Sequence, residues 1–422
     1  MIIKVIDKQK SKKEIYIKVV SLFVVVYIFW SYIRQLSERI NVNNLFIIIS
    51  IPLLISIITF KDKLCIKLVK NDLMWILYIL YMFLSSFYSP TKGEAYKYII
   101  FTAVMFIYKI IIQKNIHWAF TLIKYLYICS GIHSMFIILQ ILMPSIIDKL
   151  NSIILSADAY NLITQGLTTN YFSGITIQPA VSGLFASIFV SITFCSIISK
   201  YSTGYLIKIF FVLGIIALFL TKKRGFLVAT VISMYLILII YGKYKLKRIL
   251  NIVWYTLIMV LVLLVLINLI PDMWNVLGRF FNNDRMLSGR EVFYQQMYQW
   301  FIDKPIFGVG YGAAQTTFGY GGHNVYLQLL SEFGVVGFCL FILSFGGSYF
   351  INLKQAIKFT KLHYGDKLTN MIVLAAIYMQ TFFYVYCMSG NPIYDYTFYL
   401  LFIIFISISL SITLNFKGEN IE

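Results

Sequence analysis

Apolar runs of about 20 residues recur from one end of this chain to the other, and nothing else in the sequence limits its fold as strongly. Read in order, about twelve such runs lie near 15–33, 44–60, 72–88, 95–113, 118–143, 177–199, 205–221, 224–242, 249–270, 324–350, 369–389 and 394–415. Runs of this length must be helical, because lipid offers no partner to backbone N–H and C=O groups. Composition points the same way: 60% of residues are apolar and 13% charged, against about 25% charged in a soluble domain. That excludes a soluble globular protein, a disordered chain and a secreted disulfide scaffold. The five cysteines stand far apart and form neither a zinc pair nor a redox pair. No small-residue cleavage site follows the first run, which therefore reads as a retained span. The expected fold is an all-α polytopic membrane protein of about 12 transmembrane helices, one integral domain over 1–422 with no internal repeat. Long connections are expected at 144–176, 271–323 and 351–368.

The charge is harder to place. Lys and Arg number 36 against 17 Asp and Glu, a net charge of +19. Lys and Arg in short loops mark the cytoplasmic side, and with the N-terminus inside they favour the inner segments by about two to one. Lys109 and Lys114 count among these inner cations. Both termini are then cytoplasmic. Seven of the 11 outer cations gather in two places: Lys222-Lys223-Arg224, in a tight turn between spans seven and eight, and the 271–323 loop with Arg279, Arg285, Arg290 and Lys304. Such cations either snorkel from a helix end or face an anionic ligand on the outer side.

The 271–323 loop, between spans nine and ten, reads as partly helical. An apolar stripe follows Ser288, and Glu291 three residues on fits a capping box, so a helix is expected over about 289–302. Pro305 ends it. The glycines at 308, 310, 312, 319, 321 and 322 lack the strand–turn–helix setting of a phosphate loop, and read instead as a close-packed return toward the membrane. Of the four histidines, His117 and His363 fall in cytoplasmic turns and His133 inside span five, where packing is its reading. His323, at a helix start on the outer boundary, is as compatible with structure as with function.

Taken together, SGREVFYQQMYQWFIDKPIFGVGYG and GHNVYLQLLSEFGVVGFCLFI closely resemble the signature region of the O-antigen ligase / O-antigen polymerase (Wzy) family. The matching features are Arg290, the Pro305 to Gly310 turn, His323-Asn324, and Gly334 with Gly337. LTKKRGFLVAT resembles the family's second motif and maps it to Arg224-Gly225. SGITIQPAVSGLFASI is a looser match that lacks the usual Pro-Asn, so Pro179 receives no role.

The resemblance implies a glycosyltransferase of the bacterial cytoplasmic (inner) membrane. It would move glycan from a polyprenyl-diphosphate-linked oligosaccharide to an acceptor glycan on the outer face. A chain-length regulator and a flippase are implied as further partners, and nucleic acid is not. A diphosphate leaving group gains charge in the transition state, and arginine's planar fork grips phosphate oxygens without losing its proton. Arg224 and Arg290 are thus expected to be catalytic, with Lys222, Lys223, Arg279, Arg285 and Asn324 binding substrate. His323 is the expected base, ahead of Glu291 and Asp284. No Asp-x-Asp pair is present, so no metal and no cofactor is expected. Glu332, nine residues into span ten and about 13 Å deeper than His323, reads as an internally bonded charge. Tyr294, Trp300, Tyr311 and Tyr320 are candidates for stacking on sugars. The first expectation is a repeat-unit polymerase for capsule, exopolysaccharide or O-antigen. The alternatives are a ligase delivering finished glycan to lipid A-core or another acceptor, and a flippase for the lipid-linked sugar. A flippase should line its path through the bundle with charge, whereas these cations collect on one face.

Overall fold

Backbone groups that cannot reach water must bond one another. Every described element is accordingly helical, with no strand among the described residues. The computed structural model describes residues 2–33, 71–155, 157–168, 171–176, 178–241, 245–269, 274, 278, 290–319, 321–361 and 366–418. In chain order the helices are α1 (Ile2–Ile33), α2 (Asp72–Ser85), α3 (Lys92–Gln113), α4 (Ile116–Leu142), α5 (Pro144–Ile154), α6 (Ala157–Thr168), α7 (Pro179–Ile198) and α8 (Tyr205–Leu220). They continue with α9 (Arg224–Tyr241), α10 (Lys245–Leu269), α11 (Glu291–Asp303), α12 (Ala313–Phe318), α13 (Val325–Phe341), α14 (Gly347–Lys361), α15 (Lys367–Tyr386) and α16 (Tyr396–Gly418).

Seven helices among the described residues are long and apolar enough to cross a membrane, with Val325–Thr360 of α13 and α14 counted as one. Three shorter apolar helices accompany them, Asp72–Tyr88, Tyr205–Leu220 and Ile252–Val265. This is a multi-pass membrane protein, with seven spanning candidates where the apolar runs led to about twelve. Part of the gap is helix length, since the 16 residues of α8 fall short of the hydrocarbon thickness. The run at 44–60 lies outside the described residues. The centre of the bundle is α7, α15 and α16, whose apolar side chains are buried almost throughout. At its margin α10 turns Trp254, Leu257 and Leu261 outward, as a lipid-facing helix does.

Two sequence expectations are corrected here. The connection expected at 351–368 is helix as far as Lys361, because α14 continues past the apolar run. Lys109 is not a solvated orientation signal. It is buried inside α3, bonded to the equally buried Asp72 of α2, with its ammonium 5.9 Å from the Trp75 ring centroid. The apolar pattern hid this because its partner is far away in sequence.

The connections near 89, 172, 222, 310 and 388 meet at one end of the bundle. Ser89 Oγ donates to the Tyr311 carbonyl at 2.7 Å, Phe172 N–H to the Leu220 carbonyl at 3.4 Å, and Val325 N–H to the Cys387 carbonyl at 2.9 Å. At this end α13 is broken. Gly334 has φ 65° and ψ −171°, a backbone region closed to residues with a side chain. The break strands carbonyls above it and N–H groups below it, and the segment after α11 takes them up. Val309 and Gly310 N–H donate to the Ser331 and Glu332 carbonyls at 2.9 and 2.8 Å. Val335 and Val336 N–H donate to the Pro305 and Ile306 carbonyls at 2.8 and 3.2 Å. Non-helical backbone is tolerated at membrane depth only where protein satisfies it, as here. A Cβ on Gly308 would lie 2.5 Å from the Glu332 carbonyl, so this segment reaches the break only without a side chain there.

Candidate active site

The inserted segment fixes α11 on one side and α12 with the 321–324 turn on the other, and so sets where the first functional side chain stands. Arg290 immediately precedes α11 at the N-cap position, with no side-chain cap bond. The N-cap thus falls at Arg290 and Glu291 is the first helical residue, not the third; Ser288, the expected N-cap, lies outside the described residues. Freed from capping, the Arg290 guanidinium reaches across and donates to the Ser389 carbonyl at 3.0 Å. One fork of the guanidinium is anchored this way.

Ser389 also borders the second motif. A Cβ on Gly225 would sit 2.4 Å from Ser389 Oγ, so the start of α9 packs directly on the segment that receives Arg290. Arg224 is half-buried at that start. Lys222 and Lys223 occupy the preceding turn and point their ammonium groups at the Tyr171 ring, 5.6 and 6.0 Å from its centroid. The Lys223 ammonium is held below the usual lysine pKa, first by burial and then by the nearby Arg290.

His323 completes the group. Burial, Arg290 and Lys223, in that order, lower its imidazole pKa to about 4. Arg290, Lys223 and His323 are thus electrostatic neighbours, drawn from three separate stretches of chain. His323 has φ 55° and Lys222 φ 52°; with Lys200 they are the left-handed non-glycine residues among those described. Strained backbone of this kind collects at functional sites. Asn324, expected to bind substrate, caps α13: its Oδ1 accepts from Leu327 N–H at 3.1 Å, which leaves its amide NH2 for another partner. The expected Arg279 and Arg285 lie outside the described residues, as do Asp272, Asp284 and Tyr320.

Tyr311 is not available to stack on a sugar. Tyr98 and Tyr394 take up its ring, with centroids at 4.7 and 5.9 Å and interplanar angles of 17° and 18°. Trp300 stacks on Phe318, and the Tyr294 hydroxyl makes a long bond of 3.4 Å to the His323 carbonyl. Glu332 is fully buried and bonded to Ala314 N–H, Gln328 and Tyr394, in keeping with an internally bonded charge. Reading the sequence missed Tyr171 and the whole 387–395 segment. Ser389 contributes through a main-chain carbonyl, which its side-chain identity does not signal. Among the described residues, no three His, Cys, Asp or Glu side chains group as a metal site would need.

Residues 209–342 match the family model described as O-antigen ligase (Wzy_C). Over that stretch the chain is similar to the O-antigen ligase family. The match runs from α8 through the break in α13, so it holds the 222–224 turn, Arg290, His323 and Glu332. No curated protein matches the chain. The matched stretch thus contains Lys223, Arg290 and His323, while the Ser389 carbonyl that receives Arg290 lies beyond it.

Proposed function

We propose that this protein is a repeat-unit polymerase that transfers glycan from a polyprenyl-diphosphate-linked oligosaccharide to the terminal sugar of an acceptor chain. The site end faces outward from the bacterial cytoplasmic membrane and both termini face the cytoplasm. The observation that carries this is the convergence of Arg290 and Lys223 on a neutral imidazole. Two neighbouring cations, one of them Lys223 with its ammonium disfavoured by burial and by Arg290, form a seat for an anion, and a diphosphate is the anion an O-antigen ligase would meet.

In the reaction, an acceptor hydroxyl oxygen forms a bond to the donor's anomeric carbon as the bond from that carbon to the diphosphate oxygen breaks. The diphosphate leaves on its lipid with the bonding electrons, and the hydroxyl proton passes to His323. Arg290, Lys223 and Arg224 stabilise the charge growing on the diphosphate, with no metal required. A pKa near 4 keeps His323 neutral and able to accept at pH 7. A bound diphosphate offsets the two cations and raises that pKa, so the base strengthens once the donor is in place.

Deleting the gene tests the class of reaction. Loss of a polymerase leaves single repeat units on the acceptor or carrier, loss of a ligase leaves long chains on the carrier, and loss of a flippase traps single units inside. Complementation tests the site: Arg290→Ala, Arg224→Ala and His323→Ala each lower transfer by about 100-fold or more while the protein still inserts. Normal polymer from all three variants overturns the assignment.

A further inference from the structure

The site end contains a fully buried carboxylate that the transfer chemistry does not touch. Glu332 lies two residues before the break in α13 and is 0% exposed. Its described partners are neutral and come from three separate segments. The Ala314 N–H at 3.2 Å and Gln328 Nε2 at 3.1 Å donate to Oε1, and the Tyr394 hydroxyl donates to Oε2 at 3.0 Å. Burying a carboxylate without a cation is costly, and an ionisable group kept inside a span marks function by default.

What it does follows from Gln328. An amide has a donor end and an acceptor end, whereas a carboxylate only accepts. Glu332 therefore dictates that Gln328 present its NH2 inward, and the amide oxygen is left facing Gly322, whose N–H it accepts at 2.9 Å. Gly322 directly precedes His323, and a φ of 55° persists there only if the surroundings impose it. The far side of His323 is tied down independently by the Asn324 cap and by Val325 N–H on the Cys387 carbonyl. Tyr394 carries a second branch, for it lies in the same 387–395 segment whose Ser389 carbonyl receives Arg290.

We infer that Glu332 is a positioning residue of the transfer site: through Gln328 it sets the backbone on which His323 stands, and through Tyr394 it braces the segment that holds Arg290. The inference rests on His323 being the base. Glu332 itself touches no substrate; it works by orienting the groups that do.

The test uses the full chain in lipid nanodiscs with lipid-linked repeat units as donor, and the variants Glu332→Ala, Glu332→Gln and Gln328→Leu, each alone and combined with His323→Ala. Gln328→Leu should lower kcat by roughly 10- to 100-fold and leave the donor KM within about threefold, because geometry and not binding is lost. In the His323→Ala background the same change should cost nothing further, since it acts through the residue already removed. Glu332→Gln should regain most of what Glu332→Ala loses, because the amide oxygen can take the place of Oε1 while the Tyr394 hydroxyl turns to accept. A second readout needs no turnover. By NMR of 13C-labelled histidine, His323 should titrate near pH 4 in the wild type and move up toward its ordinary 6.5 in Gln328→Leu, as the ring leaves Arg290 and Lys223. Should Glu332→Ala fail to fold, Gln328→Leu and Glu332→Gln carry the comparison. An equal cost of Gln328→Leu with and without His323, or an unmoved titration, overturns the inference. A moved titration in a protein whose His323→Ala variant transfers normally supports the positioning and overturns the assignment of the base.

Discussion

A base whose charged form is suppressed by neighbouring cations leaves a signature in pH dependence. Free enzyme should lose kcat/KM only as pH falls through about 4, where His323 takes up a proton. The limb for kcat should lie at higher pH, because bound diphosphate cancels part of the repulsion from Arg290 and Lys223. In Arg290→Ala the kcat/KM limb should itself move up toward 6.5, since one of the three causes of the shift is gone. Coincident limbs in wild type and variant would remove His323 from its role. Much at this scale could be read in the sequence: Arg224, Arg290 and His323 were named from motifs, and the structure brings Arg290 and His323 together with Lys223. Ser389 could not be, because what it supplies is a carbonyl that every residue has. Lys109 misled for a related reason: a lysine near a span end looks like an orientation signal until its partner Asp72 is seen across α2 and α3.

Among the elements, the broken α13 matters most. In sequence Gly334 looks like a packing glycine in an apolar run, since nothing local announces that the run is interrupted. The interruption is created by residues 305–310, which meet it only in three dimensions. Gly334→Ala should therefore be severe. The new Cβ would stand 2.3 Å from the Ile306 carbonyl oxygen, on backbone already closed to alanine. A loss of at least about 2 kcal/mol is expected in reversible SDS unfolding. Gly93→Ala is the control: it lies in the first turn of α3 with nothing within 4 Å of the added carbon, and should be neutral or slightly stabilising. Equal stability of the two variants would mean that the break is not required. The start expected at about 289 shifts two residues, as the N-cap falls at Arg290, whose side chain goes to the Ser389 carbonyl.

For the molecule as a whole, the bundle was legible from run length alone, because lipid forces helices and apolar length reports on spans. Which end faces out rests on the lysine bias and the site's chemistry. Alkaline phosphatase fused after residues 90, 222 or 390 should be active, and after 115, 203 or 364 inactive. The reverse pattern would turn the site toward the cytoplasm and end the reading as an outer-face transferase. The hydrogen bonds across the break in α13 also constrain how the protein is made. They join residues 305–310 to 331–336, so they cannot close until both stretches have left the ribosome and lie on the same side of the bilayer. Until then the span has exposed amide groups in the hydrocarbon and no stable register. Biogenesis of the site is therefore a single late event, in which export of the loop and seating of the tenth apolar run must succeed together.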